Sequence, residues 1–166
     1  MATRLYGSVI SWEGWQFAVV SSAAGISCVN LRATSLAELG LRIKKRIIAD
    51  DTRNECVLKE LREYLAGDRR AFTCSLDYKG TPFQMAVWKE IASVPYGQTT
   101  SYGELAVQIG RPNATRAVGQ AAGANPVPIV IPCHRVIGKD GSLVGYGGGL
   151  PLKERLLALE QGSLDL

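Results

Sequence analysis

A cysteine, a histidine and an arginine follow one another at the end of an apolar segment. The apolar residues run from Val127 to Pro132, and Cys133, His134 and Arg135 come next. A cysteine thiolate is a strong nucleophile, and a histidine can act as the base that removes the thiol proton. Burial raises the pKa of such a thiol unless a base or a positive charge offsets the desolvation. The segment is therefore predicted to be extended, buried and reactive.

A base at this position needs a proton path and an orienting partner. His134 is the only histidine in the chain, and neighbouring side chains of an extended segment point to opposite sides. Either a turn begins at Cys133 or a water molecule carries the proton to His134, and we expect the water. A carboxylate, Glu160, lies at the edge of the apolar stripe of a helix predicted over residues 151–161. Its spacing alone favours an exposed rim position over a buried, paired one.

A glycine-rich segment, Val144–Leu150, lies between the cysteine and that helix. It matches neither the phosphate-binding loop nor the dinucleotide-binding fingerprint. Two interpretations stay open: a flexible connector, or the edge of a substrate pocket whose backbone amides lie beneath Tyr146.

Two short helices with a tight turn between them are predicted before the reactive segment. Ser101 and Glu104 have the spacing of a capping box, which predicts a helix beginning at Tyr102. Pro112 suits the first position of a second helix, over residues 113–124. This order is typical of a helix-turn-helix DNA-binding motif, although plain helical hairpins share the spacing.

The second of these helices has almost no side-chain bulk. Its small residues are Ala114, Ala117, Gly119, Ala121, Ala122 and Gly123. An interior glycine costs a helix roughly 1 kcal/mol relative to alanine, so something should compensate. One explanation is close packing inside the domain. The other is close approach to an outside surface such as the minor groove of DNA, with Arg116 as a long cationic probe.

The remaining pattern predicts an α/β protein of two domains. Short segments rich in Val, Ile and aromatic residues indicate strands, and amphipathic segments indicate helices. The predicted strands are residues 4–10, 16–21, 26–31 and 71–78, and the predicted helices are residues 35–49, 55–66 and 82–94. We expect a small N-terminal antiparallel sheet with helices over residues 1–79. A mostly helical C-terminal domain containing the helix-turn-helix is expected over residues 80–166.

Composition excludes several classes of protein. The chain has 166 residues, 46% hydrophobic and 20% charged, which fits small folded domains and excludes a disordered, collagen-like or disulfide-rich chain. The formal net charge of +4 is spread over both halves and permits an anionic partner without requiring one.

The spacing of the cysteines indicates neither a zinc site nor a redox dithiol, and Cys28, Cys56 and Cys74 are predicted to be small core residues. Because no signal-peptide pattern or membrane-length apolar run is found, we expect a cytoplasmic protein.

The segment Ile131–Val136, with Asn125–Pro126 before it and Gly145–Gly149 after it, resembles the active-site signature of the O6-alkylguanine-DNA alkyltransferases. This family is also called the methylated-DNA–protein-cysteine methyltransferases. Further similar segments are Thr81–Gln84, Val87–Trp88, Pro95–Thr99, Ser101–Tyr102 and Arg116–Gly119. The similarity is dense over residues 81–160. Residues 1–80 resemble the family only in layout, and Ser11–Gly14 departs from its usual proline-containing turn.

The resemblance implies a role for each matching residue. Cys133 would accept the alkyl group, His134 would act as base through water, Glu160 would orient His134, and Asn125 would brace the active-site segment. Arg116 would fill the space left by a flipped nucleotide, and Tyr102 would crowd its phosphate. The other implied DNA contacts are Thr115, Ala117 and Gly119, and the implied guanine pocket consists of Tyr146, Val136, Gly147, Gly148 and Pro128. Some relatives have serine at the position of Gly147, so one hydrogen bond to the base would be absent here.

The implied function is repair of double-stranded DNA by irreversible transfer of an alkyl group from O6-alkylguanine to the cysteine, with O4-alkylthymine as a further candidate substrate. Because the product is a thioether, each monomer would react once, without a metal or an organic cofactor. Cooperative assembly on DNA stays open. Two rivals also stay open: a cysteine hydrolase, which the same residue types would suit, and a helix-turn-helix protein that regulates or binds damage without transfer.

Overall fold

The computed structural model of the chain describes residues 3–33 and 35–163. The chain divides into two compact units, Met1–Tyr78 and Lys79–Leu166. None of the helices formed by the described residues is both long and apolar enough to span a bilayer.

The N-terminal unit is built on a four-stranded sheet of order β3-β2-β1-β4. Its strands are β1 (Leu5–Trp12), β2 (Trp15–Ser21), β3 (Ile26–Asn30) and β4 (Ile47–Ala49). The first three strands form the predicted antiparallel meander. The fourth pairs with β1 in parallel, so the expected antiparallel sheet is in fact mixed.

Two helices, α1 (Leu36–Ile43) and α2 (Glu55–Leu65), complete this unit. The single helix predicted over residues 35–49 is wrong in its second half. Lys44 adopts a left-handed conformation with φ 54° and ends α1, and Ile47 then pairs with Leu5 of the sheet. Pairing with a distant strand overrides the local helical pattern, because it places Ile47 against the buried cluster around Leu5.

Two other expectations for this unit are wrong, the second of them in part. The predicted strand 71–78 forms one isolated bridge, between Ile26 and Leu76. Instead of continuing along the sheet, the backbone amide of Thr73 donates to the buried carboxylate of Glu60, at 2.9 Å. Of the cysteines predicted to lie in the core, Cys28 is half-buried and packs against the core cluster, whereas Cys74 is only half-buried and Cys56 is exposed.

The C-terminal unit contains four helices and a two-stranded sheet within its described residues. The helices are α3 (Pro82–Ser93), α4 (Tyr102–Gln108), α5 (Thr115–Gly123) and α6 (Leu150–Glu160), and the strands are β5 (Thr100–Ser101) and β6 (Val136–Ile137). Helix α4 begins at the predicted capping box. Helix α5 starts later than predicted because Arg111 and Ala114 close a turn with a backbone bond of 2.9 Å, which places Pro112 before the helix.

One contact joins two of these helices, and a second ties α4 to the reactive segment. The indole of Trp88 in α3 donates to the Ala121 carbonyl of α5, at 2.8 Å. Strands β5 and β6 pair in parallel, with Thr100 opposite Val136 and Ser101 opposite Ile137. The residue that caps α4 is therefore fixed to the backbone that directly follows Cys133–Arg135.

Candidate active site

Cys133, His134 and Arg135 form one short turn of 3₁₀ helix. The backbone amide of Val136 closes it by donating to the carbonyl of Cys133. The prediction of an extended segment is therefore wrong at these residues, because a turn begins at Cys133. The expectation that water carries the proton to His134 stays a prediction. All three side chains are buried, with exposed fractions of 9%, 0% and 6%.

A braced loop leads into this turn. The side-chain amide of Asn125 donates to the Ile131 carbonyl at 2.8 Å, and its oxygen accepts from the Val127 amide at 3.0 Å. Between them Ile129 has φ 74°, a conformation that is rare for a β-branched residue. Such strain persists only where the surroundings enforce it, and here it lies four residues before Cys133.

The Cys133 thiol is protonated at rest. Burial raises its pKa to about 11, while a hydrogen bond from the Asn125 side chain and the positive charge of Lys153 oppose that rise. The direction agrees with the prediction made for a thiol at the end of an apolar segment. A thiolate must therefore form during the reaction, with the proton passing to a base in the site.

His134 is the candidate for that base. Its Nε2 lies 2.8 Å from Oε1 of Glu160, and neither side chain is exposed to solvent. The rim position expected for Glu160 from spacing alone is thus wrong. Burial lowers the pKa of His134, and the bond and charge of Glu160 offset this only in part, so the ring is neutral at pH 7. Because Nε2 is engaged by Glu160, exchange with the thiol proton falls to Nδ1.

Glu160 is held by more groups than its sequence position indicates. The guanidinium of Arg135 donates to both of its oxygens, at 2.9 Å from Nε to Oε2 and 2.8 Å from Nη2 to Oε1. The same guanidinium donates to the Val94 carbonyl at 2.6 Å. Two charges of opposite sign thus satisfy each other in the interior, as buried ions must. The sequence shows Arg135 only as part of the Cys-His-Arg run, and its partner cannot be deduced from spacing.

The turn after α3 supplies a further hydrogen-bond donor to the Glu160 carboxylate. The amide of Gly97 donates to Oε2 of Glu160 at 3.1 Å. Gly97 has φ 76°, and a Cβ there would lie 3.1 Å from the Glu160 carbonyl oxygen. Glycine is required by both the backbone conformation and the close approach. The sequence Pro95–Gly97 indicates a helix stop and is part of the resemblance, but it gives no sign of the bond to Glu160.

Lys153 is a second functional candidate that sequence reasoning missed. Its side chain is fully buried, and its ammonium group donates to the carbonyls of Val136 at 2.6 Å and Val144 at 3.0 Å. Burial lowers its pKa, and the nearby Cys133 opposes that shift. A signal was present in the sequence, since Leu156 and Leu157 lie three and four residues further on, which places the lysine on an apolar helix face.

The buried charges of the site do not balance. Two basic side chains, Arg135 and Lys153, and one acidic side chain, Glu160, are buried there, so basic groups outnumber acidic ones. A positive interior favours an anionic sulfur over a neutral one. The arrangement is therefore suited to forming a thiolate within a buried site.

The glycine-rich segment is anchored beside the cysteine. The hydroxyl of Tyr102 donates to the Val144 carbonyl at 3.1 Å, the same oxygen that Lys153 contacts. The Tyr146 ring stands edge-on to the His134 ring at 6.4 Å. Of the other predicted pocket residues, Val136 and Pro128 are buried, Gly148 is half-buried and Gly147 is exposed. The structure thus brings Tyr146 next to His134, and its place at the edge of a substrate pocket stays a prediction.

Helix α5 presents the predicted DNA-contacting residues. Thr115, Arg116 and Ala117 are exposed, and Gly119 is half-buried. A Cβ on Gly119 would meet the Tyr102 ring at an ordinary 3.8 Å, and one on Gly123 would meet nothing within 4 Å. Packing with the described residues therefore requires neither glycine, so the close-packing explanation fails for both.

No group of three or more metal-binding side chains occurs among the described residues. Independently of that, Cys133, His134 and Glu160 are residue types that can serve as a nucleophile, a base and an orienting group.

Comparison with known proteins identifies relatives of this chain. Residues 82–162 match the family model described as 6-O-methylguanine DNA methyltransferase, DNA binding domain. The chain is 44% identical to an inducible methylated-DNA–protein-cysteine methyltransferase of Bacillus subtilis, over 95% of this chain and 90% of that protein. It is also similar to the crystal structure of Mycobacterium tuberculosis O6-methylguanine methyltransferase, with a TM-score of 0.85, 37% identity and coverage of 97% and 95% of the two chains. A structure of M. tuberculosis OGT in complex with DNA matches with a TM-score of 0.83, 39% identity and coverage of 96% and 93%.

Proposed function

The chain belongs to the methylated-DNA–protein-cysteine methyltransferase family, and from this premise we propose that it repairs DNA by transferring the alkyl group of O6-alkylguanine to Cys133. The observation that carries the assignment is the buried turn in which Cys133 precedes His134, with His134 held 2.8 Å from Glu160. The rivals are disfavoured by the match to methyltransferase relatives, one of them 44% identical over 95% of this chain.

The transfer begins with a proton. Neutral His134 accepts the thiol proton of Cys133 through Nδ1, directly or through water, and the resulting imidazolium is stabilised by Glu160. Arg135 keeps Glu160 anionic and fixed, so the carboxylate orients the ring without taking the proton itself. Lys153 stabilises the thiolate through its positive charge.

The thiolate then attacks the alkyl carbon. A bond forms between Sγ and that carbon while the bond between the carbon and guanine O6 breaks, and the electron pair of the broken bond leaves with guanine. Guanine takes up one proton, which balances the proton lost by the thiol. The product is a thioether on Cys133, which has no hydrolytic exit under mild conditions, so each molecule reacts once.

Access to the lesion requires the nucleotide to leave the base stack. Extrusion costs a few kcal/mol of stacking and pairing, which a side chain inserted in its place partly offsets. Arg116 has the required length and exposure, and the small residues around it allow α5 to enter a minor groove. Thr115 and Ala117 lie on the same exposed stretch. Tyr146, Val136, Gly147, Gly148 and Pro128 are proposed to bound the guanine.

We also propose a cytoplasmic location and a monomeric, cofactor-free protein. Transfer consumes a reduced thiol, and the cysteines of the described residues, Cys133 included, are all free. A reducing compartment keeps such thiols reduced. Cys133, His134, Glu160 and Arg116 all belong to the C-terminal unit of one chain.

The decisive experiment incubates the protein with duplex DNA that carries a labelled methyl group on guanine O6. We expect one equivalent of label on Cys133, located by mass spectrometry, because the thioether is stable. Cys133→Ser should abolish transfer and retain DNA binding. Loss of the lesion with Cys133 unmodified would contradict the proposal. Repeated turnover would indicate a hydrolase, and retention of the DNA without labelling would indicate a damage-binding protein.

A further inference from the structure

A dense cluster of positive charge in the N-terminal unit is not used by the function proposed above. Four of the five residues from Arg42 to Arg46 are basic, and all four are exposed. Residues 39–49 contain no Asp or Glu. We call residues 42–46 the basic turn, because they connect the end of α1 to the start of β4.

The fold fixes the backbone of the basic turn on both sides. At its start, the Lys44 and Lys45 amides donate to the Gly40 carbonyl, which closes α1. A Cβ on Gly40 would lie only 3.0 Å from the Lys45 carbonyl oxygen, so the chain folds back closely on the helix. At its end, Ile47 enters the sheet opposite Leu5. The basic side chains therefore project from an ordered turn.

The sheet adds a fifth positive charge. Arg4 directly precedes Leu5, and Arg46 directly precedes Ile47, in two strands that pair in parallel. Paired strands lie about 4.8 Å apart, so Arg4 and Arg46 occupy neighbouring positions. Arg4 is exposed as well.

These charges are not neutralised within the described part of the chain. None of the five basic residues takes part in the ion pairs of residues 3–33 and 35–163. Charges closer than the Debye length, about 8 Å at physiological salt, repel one another with little screening. The five charges also exceed the net charge of the whole chain, +4. An anionic partner with closely spaced charges would relieve this repulsion.

We propose that the basic turn and Arg4 bind the phosphate backbone of duplex DNA. The inference rests on the proposed function in taking DNA as the partner, and it adds a contact made by the N-terminal unit. Phosphate contacts of Lys and Arg do not depend on base sequence, and they release counterions. The contact therefore contributes affinity for any duplex, damaged or not.

A pair of matched variants tests the proposal. Lys44→Gln with Lys45→Gln removes two charges of the basic turn, and Lys59→Gln with Arg62→Gln removes two exposed charges from α2 of the same unit. Binding to a short undamaged duplex is measured over a series of salt concentrations. We expect the slope of log affinity against log salt to fall by about 0.9 for each phosphate that the first variant no longer neutralises. The control variant should keep the wild-type slope.

Equal slopes in the two variants would overturn the proposal. So would a first variant that binds DNA normally but loses binding to vesicles of anionic phospholipid, because Leu41 beside the turn is 81% exposed and would suit a membrane surface. Reaction with free O6-benzylguanine should be unchanged in both variants, which shows that Cys133 is intact. Failure of the wild type to take up the methyl group of O6-methylguanine in duplex DNA would count against alkyl transfer and leave the salt slopes as an independent result.

Discussion

At the scale of single residues, the site contains two buried cations near a thiol that must become an anion. Arg135 is paired with Glu160, whereas Lys153 is held by the carbonyl oxygens of Val136 and Val144. The two cations therefore act differently. Arg135 fixes the carboxylate that orients His134, and Lys153 supplies positive charge to the sulfur. Both are positioning residues, and each assignment leads to a distinct measurement.

Lys153→Gln should make Cys133 less reactive at neutral pH. Glutamine retains hydrogen-bond donors but lacks the charge that lowers the pKa of Cys133, so the thiolate should form at higher pH. The measurement is alkylation of Cys133 by iodoacetamide as a function of pH, followed at that residue by mass spectrometry. Lys153→Arg, which retains the charge, is the control and should recover most of the reactivity. An unchanged profile in the glutamine variant would leave Lys153 a purely structural role.

Glu160→Gln should slow repair at neutral pH by about 10²-fold or more, the size expected when a base is impaired. Repair by the wild type falls as the pH drops through the pKa of His134, because a protonated ring cannot accept the thiol proton. Glu160 raises the pKa of His134. In the Glu160→Gln variant, the fall of the repair rate at acidic pH, which we call the acid limb, should therefore occur at lower pH.

Loss of the carboxylate also leaves Arg135 buried without its partner, which is strongly destabilising. The double variant Arg135→Leu with Glu160→Gln removes both charges and serves as the control. If the acid limb stays in place in both variants, Glu160 does not act through His134.

At the scale of elements, short pieces of structure couple DNA contact to chemistry. The two-residue strands β5 and β6 join the capping residue of α4 to the backbone that follows the active-site turn. Tyr102, the first residue of α4, lies beside Gly119 of α5 and bonds to the Val144 carbonyl. Helix α5, which we propose enters the minor groove, is thus connected through Tyr102 to the segment beside Cys133.

Gly119→Ala with Gly123→Ala should stabilise the protein and impair its repair of duplex DNA. Alanine favours a helix by up to about 1 kcal/mol over glycine, and both added methyl groups have room. Thermal unfolding measures the first effect, and the rates with duplex DNA and free O6-benzylguanine measure the second.

Only the reaction with duplex should slow. Arg116→Ala, which removes the inserted side chain, should show the same preference without the gain in stability. Normal repair of duplex by the alanine variant would mean that the glycines do not serve close approach.

At the scale of the whole molecule, the fold adds a fifth positive charge to a cluster of four that the sequence already contains. The excess of basic over acidic residues is the same in the two halves of the sequence. The fold nevertheless places Arg4 beside the basic turn. Parallel pairing of β1 and β4 brings these positions together across about forty residues of sequence. The same pairing turned a predicted helix into a strand, because a partner strand distant in sequence decided the conformation of residues 47–49.

The sequence by itself determined the cysteine and histidine of the candidate site, the capping box of α4 and the small side chains of α5. It also determined the resemblance to the alkyltransferase family, which assigns a role to each of these residues. Those features are local, since residue type and spacing carry them. Tertiary structure alone decided that Glu160 is buried, that Gly97 and Arg135 hold it, and that Lys153 lies near the thiol. Each of these facts depends on contacts between segments that are remote in sequence. In the low-dielectric interior where those contacts form, desolvation and ion pairing set the charge states of the side chains. The spacing of residues along the chain does not reveal such contacts.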